Sequence, residues 1–493
     1  VGASRMHIIR QILIESTLLS VIGMLLGMGF AWVGIRWIAS ALPVNLAQTT
    51  TLGIDLRVLL FALGISLATG LFSGIIPAII ACRRNATSAL RDGDRSGAGQ
   101  EGGRIRAMLV AGTFALALAL TVSAGLFLKS LVRILQVDPG FDPGGVLTFT
   151  LSLPEAQYPD REALRPAQDA LLERLSAVPG VTGVGFTSTL PMGDLVSDTG
   201  TAIEGVPLEG DPLRTWYSRA TRGYLPALGV PILRGRDFSA RDTADAPCVV
   251  IANETYVQRY MEGLEPIGRR VILNPQIEQY IHCEIIGLAK DLRFNTLAEP
   301  PEPTLYLSAS RFPNRRFFVA LRTAQEPLSL LPTVRQAVAG FDPGLAVWSP
   351  ATMNELVANT MRTPRLVTML VGAFAALALV LAASGVYGVA TYNVKARMRE
   401  FGVRTALGAK QFDLLRHVLM AGLRLVGAGM AVGIILTIAF GRLLDALLYE
   451  VEPFDAQVFA AVALLLAAAA VLAMLVPARR AARVHPMEAL RYE

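Results

Sequence analysis

Arg399-Glu400-Phe401-Gly402-Val403-Arg404-Thr405-Ala406-Leu407-Gly408-Ala409 lies between two strongly apolar runs and is too polar to be embedded in a bilayer. It therefore marks a water-facing connection between membrane segments. Glu400 and Arg404 stand at i, i+4, so a short helix would carry opposite charges on one face. Gly402 and Gly408 would let another surface approach the backbone closely. On residue chemistry alone, a solvated turn with a weak ion pair fits equally well.

The opening of the chain repeats these words. Val1-Gly2-Ala3 matches Leu407-Gly408-Ala409, and the match continues in one register through Arg10 with Arg416, Gly23 with Gly429, Gly27 with Gly433 and Arg36 with Arg442. Pro77-Ala78 through Ala89-Leu90-Arg91 then matches Pro477-Ala478 through Ala489-Leu490-Arg491, the spacing shortened by a longer loop around Thr49 to Asp55 in the first copy. A duplication at roughly 400 residues far exceeds any solenoid period and suits a two-fold pseudo-symmetric membrane assembly. Because Val1 aligns with the middle of the later motif, the chain is expected to begin inside a larger protein.

Composition points to a membrane. Of 493 residues 53% are hydrophobic and 17% charged, and the mean hydropathy is +0.48. Apolar runs at Ile12–Ala41, Val58–Ala81, Ala107–Leu128, Leu366–Tyr392, Phe412–Leu444 and Gln457–Val476 are each long enough to span. The net charge of +6 does not imply nucleic acid, because the basic residues form no stripe with stacking aromatics. They cluster beside the apolar runs, at Arg5–Arg10, Arg83–Arg106, Lys395–Arg416 and Arg479–Arg491, which places those ends in the cytoplasm. The loop holding Asp445, Glu450, Glu452 and Asp455 has no Lys or Arg and faces outward.

Ser130 to about Arg365 contains no spanning stretch and reads as a water-soluble insert on the outer side. Val146–Leu153 alternates as a strand, Arg161–Val178 carries Leu164, Leu171, Leu172 and Leu175 on one helical side, and Val181–Thr187 is again strand-like. Further strands are expected at Cys248–Ala252, Arg269–Leu273, Ile281–Leu288 and Phe317–Arg322, with helices at Glu254–Met261 and near Pro327–Ala339. The expected fold class is an α-helical polytopic membrane protein with a large inserted α+β periplasmic domain.

Several chemistries are disfavoured. No Gly-Lys pair occurs, so there is no GxxxxGK(S/T) phosphate-cradling loop and no ATPase of the chain's own is expected; no cofactor is expected either. Charge inside the spans is nearly absent: Glu15, Arg424, Arg36 and Arg442 lie near helix ends, which speaks against a proton- or sodium-driven carrier. Cys82, Cys248 and Cys283 have no metal-ligand spacing. Cys248 and Cys283 fit a disulfide or two buried thiols equally. His282, beside Cys283 in an apolar strand, reads as a buried structural residue. Ser188 and Asp194 decorate a turn without completing a triad, and no enzyme is expected. Gly23-x-x-x-Gly27, Gly70-x-x-x-Gly74 and Gly429-x-x-x-Gly433 mark candidate helix contacts, and the aligned first and last pairs are expected to make the same close approach twice.

The run Glu400 to Ala409, Gly385-Val386-Tyr387-Gly388, and the ending Pro477-Ala478-Arg479-Arg480-Ala481-Ala482-Arg483 with Pro486-Met487-Glu488-Ala489-Leu490-Arg491 resemble the FtsX-like permeases of ABC transporters, MacB-like branch. Gly223-Tyr224-Leu225 to Leu228-Gly229-Val230 and Arg234-Gly235-Arg236-Asp237-Phe238 resemble the periplasmic core domain of that branch. The arrangement resembles the duplicated permeases that lack an ATPase segment, with the first copy short of its first two spans and its outer domain. The resemblance implies residues 1–92 as the end of a first repeat (spans about 11–41 and 57–81), 93–106 as a cytoplasmic linker and 107–129 as the helix opening a second repeat. It implies 130–362 as the periplasmic core domain and 363–493 as the second permease domain (spans about 366–392, 412–444 and 457–477).

The implied setting is the bacterial inner membrane, with a separate cytoplasmic ABC ATPase as partner, lipid around the spans, room for a periplasmic adaptor or outer-membrane partner, and two repeats forming a pseudo-dimer in the full-length protein. Glu400, Phe401, Gly402, Arg404, Leu407, Gly408 and Ala409 would form the ATPase-coupling helix, with Gly2 and Ala3 its remnant in the first copy. The implied function is mechanical transmission of ATP hydrolysis to the outer domain for export or efflux; the alternative is a signalling transducer that regulates a periplasmic protein such as a cell-wall hydrolase.

Overall fold

The computed structural model describes residues 5–41, 55–83, 98–193, 197–207, 210–275, 280–396, 411–445 and 448–482. They fall into two compact units, Val1–Leu131 with Arg362–Glu493, and Val132–Met361.

The first unit is helical. Its helices are α1 (Arg5–Ala41), α2 (Leu56–Arg83), α3 (Ala98–Leu135, which continues past Leu131), and, after the outer unit, α9 (Arg362–Ala396), α10 (Gln411–Asp445) and α11 (Ala456–Ala482). Among the described residues, six helices are long and apolar enough to cross a membrane. Leu18, Leu25, Phe30, Phe61, Phe72, Leu377, Ile435 and Leu464 are exposed, as side chains facing lipid would be. What is buried runs in helical stripes. Val110, Phe114, Leu118, Val122 and Leu126 of α3 meet Ala382, Val386 and Ala390 of α9, Val426 of α10, and Val462, Leu466, Ala470 and Met474 of α11. The small residues on α9 and α11 let these helices approach without a water-driven hydrophobic term.

Among its described residues the second unit has eleven strands and two cores. β1 (Val146–Ser152), α4 (Arg161–Ser176) and β2 (Val181–Thr187) open it, and β10 (Arg316–Thr323), α7 (Leu331–Phe341) and β11 (Trp348–Thr352) close it. Asp160 caps α4, its side chain accepting from the Ala163 N–H at 2.8 Å. The strand order is β11-β1-β10-β2, all neighbours antiparallel. The expected strand-helix-strand opening is present, but its two strands are parallel across an intervening β10. This is the split β-α-β arrangement of ferredoxin-like sheets. Leu147, Phe149, Leu151, Phe186, Phe317 and Val319 share one face with Leu164, Leu171 and Leu175 of α4 and Val334 and Val338 of α7.

Between β2 and β10 the chain builds a second sheet. Its strands are β3 (Ser197–Ile203), β4 (Leu213–Ala220), β5 (Ile232–Gly235), β6 (Val249–Asn253), β7 (Arg270–Leu273), β8 (Ile281–Ala289) and β9 (Thr304–Ser308); the short helices α5 (Tyr224–Ala227) and α6 (Glu254–Tyr260) lie between them. β4, β3, β7, β8, β6 and β9 pair in succession and β9 returns to β4, closing a ring with β5 added beside β8. Closure removes free edges. Val250, Tyr256, Val271, Cys283, Ile285, Leu305 and Leu307 fill this second core. The two sheets join where Thr187 pairs with Ala220. There the buried Thr187 and Ser218 hydroxyls lie 2.6 Å apart. α8 (Met353–Thr360), started by a Thr352–Glu355 capping box, leads back to α9.

Candidate functional site

The helix contacts of the membrane unit are set by residues too small to hold the backbones apart. A Cβ at Gly429 of α10 would lie 2.7 Å from the Ala111 carbonyl oxygen and 2.8 Å from Phe114 Cβ; one at Gly433 would lie 2.9 Å from the Ala115 oxygen and 3.0 Å from Leu118 Cβ. On α2, a Cβ at Gly70 would lie 2.9 Å from Ser20 Oγ, and one at Gly74 3.1 Å from Ser16 Oγ. The Ser66 hydroxyl donates to the Ser20 carbonyl at 2.7 Å, a polar clasp between α1 and α2.

Gly23 and Gly27 depart from expectation. Both are exposed, and among the described residues no atom lies within 4 Å of a Cβ built on either, so the aligned pairs do not make the same approach there. The reason is geometric. α2 meets α1 through Leu13, Ser16, Thr17 and Ser20, N-terminal to these glycines, whereas the cover over Gly429 and Gly433 is supplied by α3.

At the outer end of the unit, Lys129 of α3 pairs with Asp455, which also caps α11 by accepting from the Val458 N–H at 3.1 Å. Ser130 Oγ accepts from the Tyr449 N–H at 2.9 Å. These bonds tie α3 to the segment joining α10 and α11. Elsewhere the Arg36 guanidinium lies 4.0 Å from the Trp32 ring centroid and that of Arg106 4.2 Å from the Tyr392 ring, so both spend their charge on an aromatic face near a helix end.

In the outer unit the sequence motifs are anchors. Gly223 has φ +79° and starts α5, and Tyr224 is fully buried against Gly185, where a Cβ would collide with the Tyr224 backbone. Burial pushes the Tyr224 and Tyr306 phenols well above their ordinary range. Gly235 has φ +76° and packs on the Ile286 carbonyl. Arg236 then forks onto Asp242, both bonds at 2.8 Å, while the Ser239 N–H and hydroxyl donate to the same carboxylate at 2.7 and 3.0 Å. The Arg236 hydrogen bond holds the Asp242 carboxyl below its ordinary value, and burial holds its neighbour Asp237 above. Cys248 and Cys283 form a disulfide joining the start of β6 to β8. His282 is corrected from buried to half-exposed: alternation along β8 turns Cys283 inward and His282 outward, with its Nδ1 3.5 Å from Glu204. Among the described residues no three His, Cys, Asp or Glu are grouped to hold a metal.

The FtsX-like permease C-terminal family matches residues 1–86 and 372–486, and the MacB-like periplasmic core domain matches 107–338. The chain is an FtsX/MacB-like permease. A macrolide export ATP-binding/permease protein, MacB, of Hahella chejuensis is 28% identical to it over 286 residues, 55% of this chain and 41% of that protein. A pyoverdine export ATP-binding/permease protein, PvdT, of Pseudomonas syringae pv. tomato is 25% identical over 273 residues, 53% and 40% of the two chains. The permease thus spans less than half the length of these curated relatives. Among solved structures, the periplasmic region of MacB from Actinobacillus actinomycetemcomitans aligns at 13% identity and TM-score 0.31 over 45% of this chain and 95% of that one, too slight to carry any inference.

Of the sequence-predicted site residues, Gly2, Ala3, Glu400, Phe401, Gly402, Arg404, Leu407, Gly408 and Ala409 lie outside the described residues. The Lys129–Asp455 tie was missed by sequence reading. A Lys at the end of one apolar run and an Asp at the start of another were its signal.

Proposed function

We propose that this permease works in the bacterial inner membrane as the transmitter subunit of an ABC exporter, turning ATP hydrolysis by a separate cytoplasmic ATPase into movement of its outer unit. The observation that carries the reading is helical continuity: α3 runs unbroken from Ala98 to Leu135, past the boundary at Leu131, and α9 runs unbroken from Arg362, where the chain returns to the helical unit, to Ala396. At 1.5 Å per residue α3 is about 57 Å long, well beyond a ~30 Å hydrocarbon core, so a push at one end reaches the other without a flexible joint. Support also comes from the relatives, which are named as export ATP-binding/permease proteins. The near-absence of charge within the apolar runs fits a mechanical part better than an ion-coupled carrier.

In this reading Arg399 to Ala409 docks on the ATPase, with Glu400 and Arg404 fixing orientation and Gly402, Gly408 and Ala409 allowing close approach. The Lys129–Asp455 and Ser130–Tyr449 bonds make α10 and α11 move with α3. Replacing Gly402 and Gly408 together by Leu should abolish co-purification of the ATPase while the permease still inserts in the membrane. Full co-purification with unchanged ATP turnover would return the motif to a solvated turn. Normal export in a deletion strain, with altered activity of a periplasmic hydrolase, would favour the transducer.

A further inference from the structure

The segment that leaves α3 grips the second sheet before it enters the first. Asp138 Oδ2 accepts from Lys290 Nζ at 2.6 Å, and Asp138 Oδ1 accepts from the Gly140 N–H at 2.9 Å. The Pro139 carbonyl accepts from the Arg293 N–H at 3.1 Å. Gly140, at φ +86°, lies so close to the loop after β8 that a Cβ there would collide with the Asp291 carbonyl oxygen, so only glycine fits. That loop is in turn fixed to the second sheet. Asp291 takes the Thr255 N–H at 2.9 Å and the Thr255 hydroxyl at 2.7 Å, in the first turn of α6. The Lys290 N–H donates to the Pro231 carbonyl at 3.1 Å, just before β5, and Leu292 and Phe294 are buried. Only then does Asp142 meet the first sheet, its carboxylate accepting from Arg322 of β10 at 2.9 Å.

The return toward α9 holds the first sheet. β11 pairs with β1, the Thr148 hydroxyl donates to the Ala351 carbonyl at 2.9 Å, and Met353 at the start of α8 is fully buried. α9 follows α8 after the single residue Met361. These attachments hold the first sheet from both crossings and the second from α3. The sheets meet in the backbone bridge between Thr187 and Ala220. We propose that Asp138, Gly140 and Lys290 are positioning residues through which α3 holds the second sheet, so that displacement of α9 along α3 turns the first sheet against the second about Thr187 and Ala220. The inference rests on the transmission reading above, in which α9, but not α3, runs into the ATPase-docking segment. An ion pair as exposed as Asp138 with Lys290 is weak alone, so the Gly140 seat carries the hold and the pair sets its register.

The test uses the whole chain with Cys82→Ser in lipid nanodiscs, with the ATPase that co-purifies with it, and reads ATP turnover in every sample. Spin labels are placed at the exposed positions Glu162→Cys, on α4 over the first sheet, and Glu262→Cys, beside the second. Pulsed electron resonance should show their separation change on addition of Mg-ATP, while a pair over the first sheet alone, Glu162→Cys with Arg335→Cys, stays constant. Gly140→Ala should abolish the change. Gly268→Ala, at a similar φ of +82° but meeting nothing among the described residues, should keep it, which separates the seat from backbone strain. Asp138→Lys should weaken the change and the exchange of charges, Asp138→Lys with Lys290→Asp, should restore it; this pair decides alone if Gly140→Ala does not fold. A change that survives both Gly140→Ala and Asp138→Lys would overturn the assignment of these residues. ATP turnover with no change between the sheets of the unaltered chain would mean that they move as one body, and the proposal would fail while the transmission reading stands. If no ATPase co-purifies with the unaltered chain, the reading falls and takes this inference with it.

Discussion

At the scale of the residue, the same amino acid at aligned positions has two fates, and stability measurements can separate them. Gly433 is closed in by Ala115 and Leu118, so Gly433→Leu must force α10 away from α3; overpacking of this kind costs about 1–3 kcal/mol. Gly27 faces open space, and Gly27→Leu adds only a side chain where none is met. The thermal midpoint of the detergent-solubilised chain should fall for the first variant and stay for the second; equal falls would sink the packing account. Sequence showed the glycines but not their cover, because a repeat reports which residues are equivalent and not which neighbour each one has. Asp242 supplies a second case. Its carboxyl, ordinarily near 3.8, is depressed by Arg236, so its contribution to stability is full above that value and is lost as pH falls through the lower folded one. Arg236→Ala should therefore move acid unfolding of the outer unit to higher pH, followed by tryptophan fluorescence. An unmoved midpoint would leave the fork without energetic weight.

At the scale of the element, local pattern carried the class of fold and stopped at pairing. Six apolar runs, Leu164 to Leu175 at helical spacing and the alternation of Val146–Leu153 were legible because each is a property of a few neighbouring residues. That β10 enters between β1 and β2 was not, since its partners lie more than a hundred residues upstream and any apolar strand satisfies the same local rule. His282 was misread for a related reason: its neighbours are apolar, but alternation rather than composition decides which side faces water. The Cys248–Cys283 bond likewise needed β6 and β8 to be adjacent. It closes a loop over a sequence separation of 35, for which restricting the unfolded chain is worth about 4 kcal/mol at most and ~2–4 kcal/mol typically. Replacing both cysteines by Ser should lower the urea midpoint of the outer unit accordingly. An unchanged midpoint would mean that the second core, with Val250, Ile285 and Leu305, holds β6 and β8 together unaided.

At the scale of the whole molecule, everything proposed depends on which side of the membrane each unit occupies, and two independent observations bear on it. Lys and Arg gather at Arg83–Arg106, Lys395–Arg416 and Arg479–Arg491, whereas Asp445, Glu450, Glu452 and Asp455 share a loop with no basic residue, so the positive-inside rule puts the first group in the cytoplasm. The disulfide gives the same sense from chemistry: Cys248 and Cys283 lie in the unit Val132–Met361, and a bond of this kind persists where the compartment is oxidising, outside the cytoplasm. The charge bias acts while helices insert and the disulfide forms in the folded strands, so their agreement is not circular. Single cysteines at Asp211 and Asn85, in a chain with Cys82→Ser, put the assignment to a direct measurement. A membrane-impermeant maleimide applied to intact cells with a permeable outer membrane should label Asp211→Cys and spare Asn85→Cys, which should react only after the inner membrane is opened. The reverse pattern would place the strand-rich unit beside the ATPase and Arg399 to Ala409 on the far side from it, and the mechanical coupling proposed for α3 and α9 would have no drive.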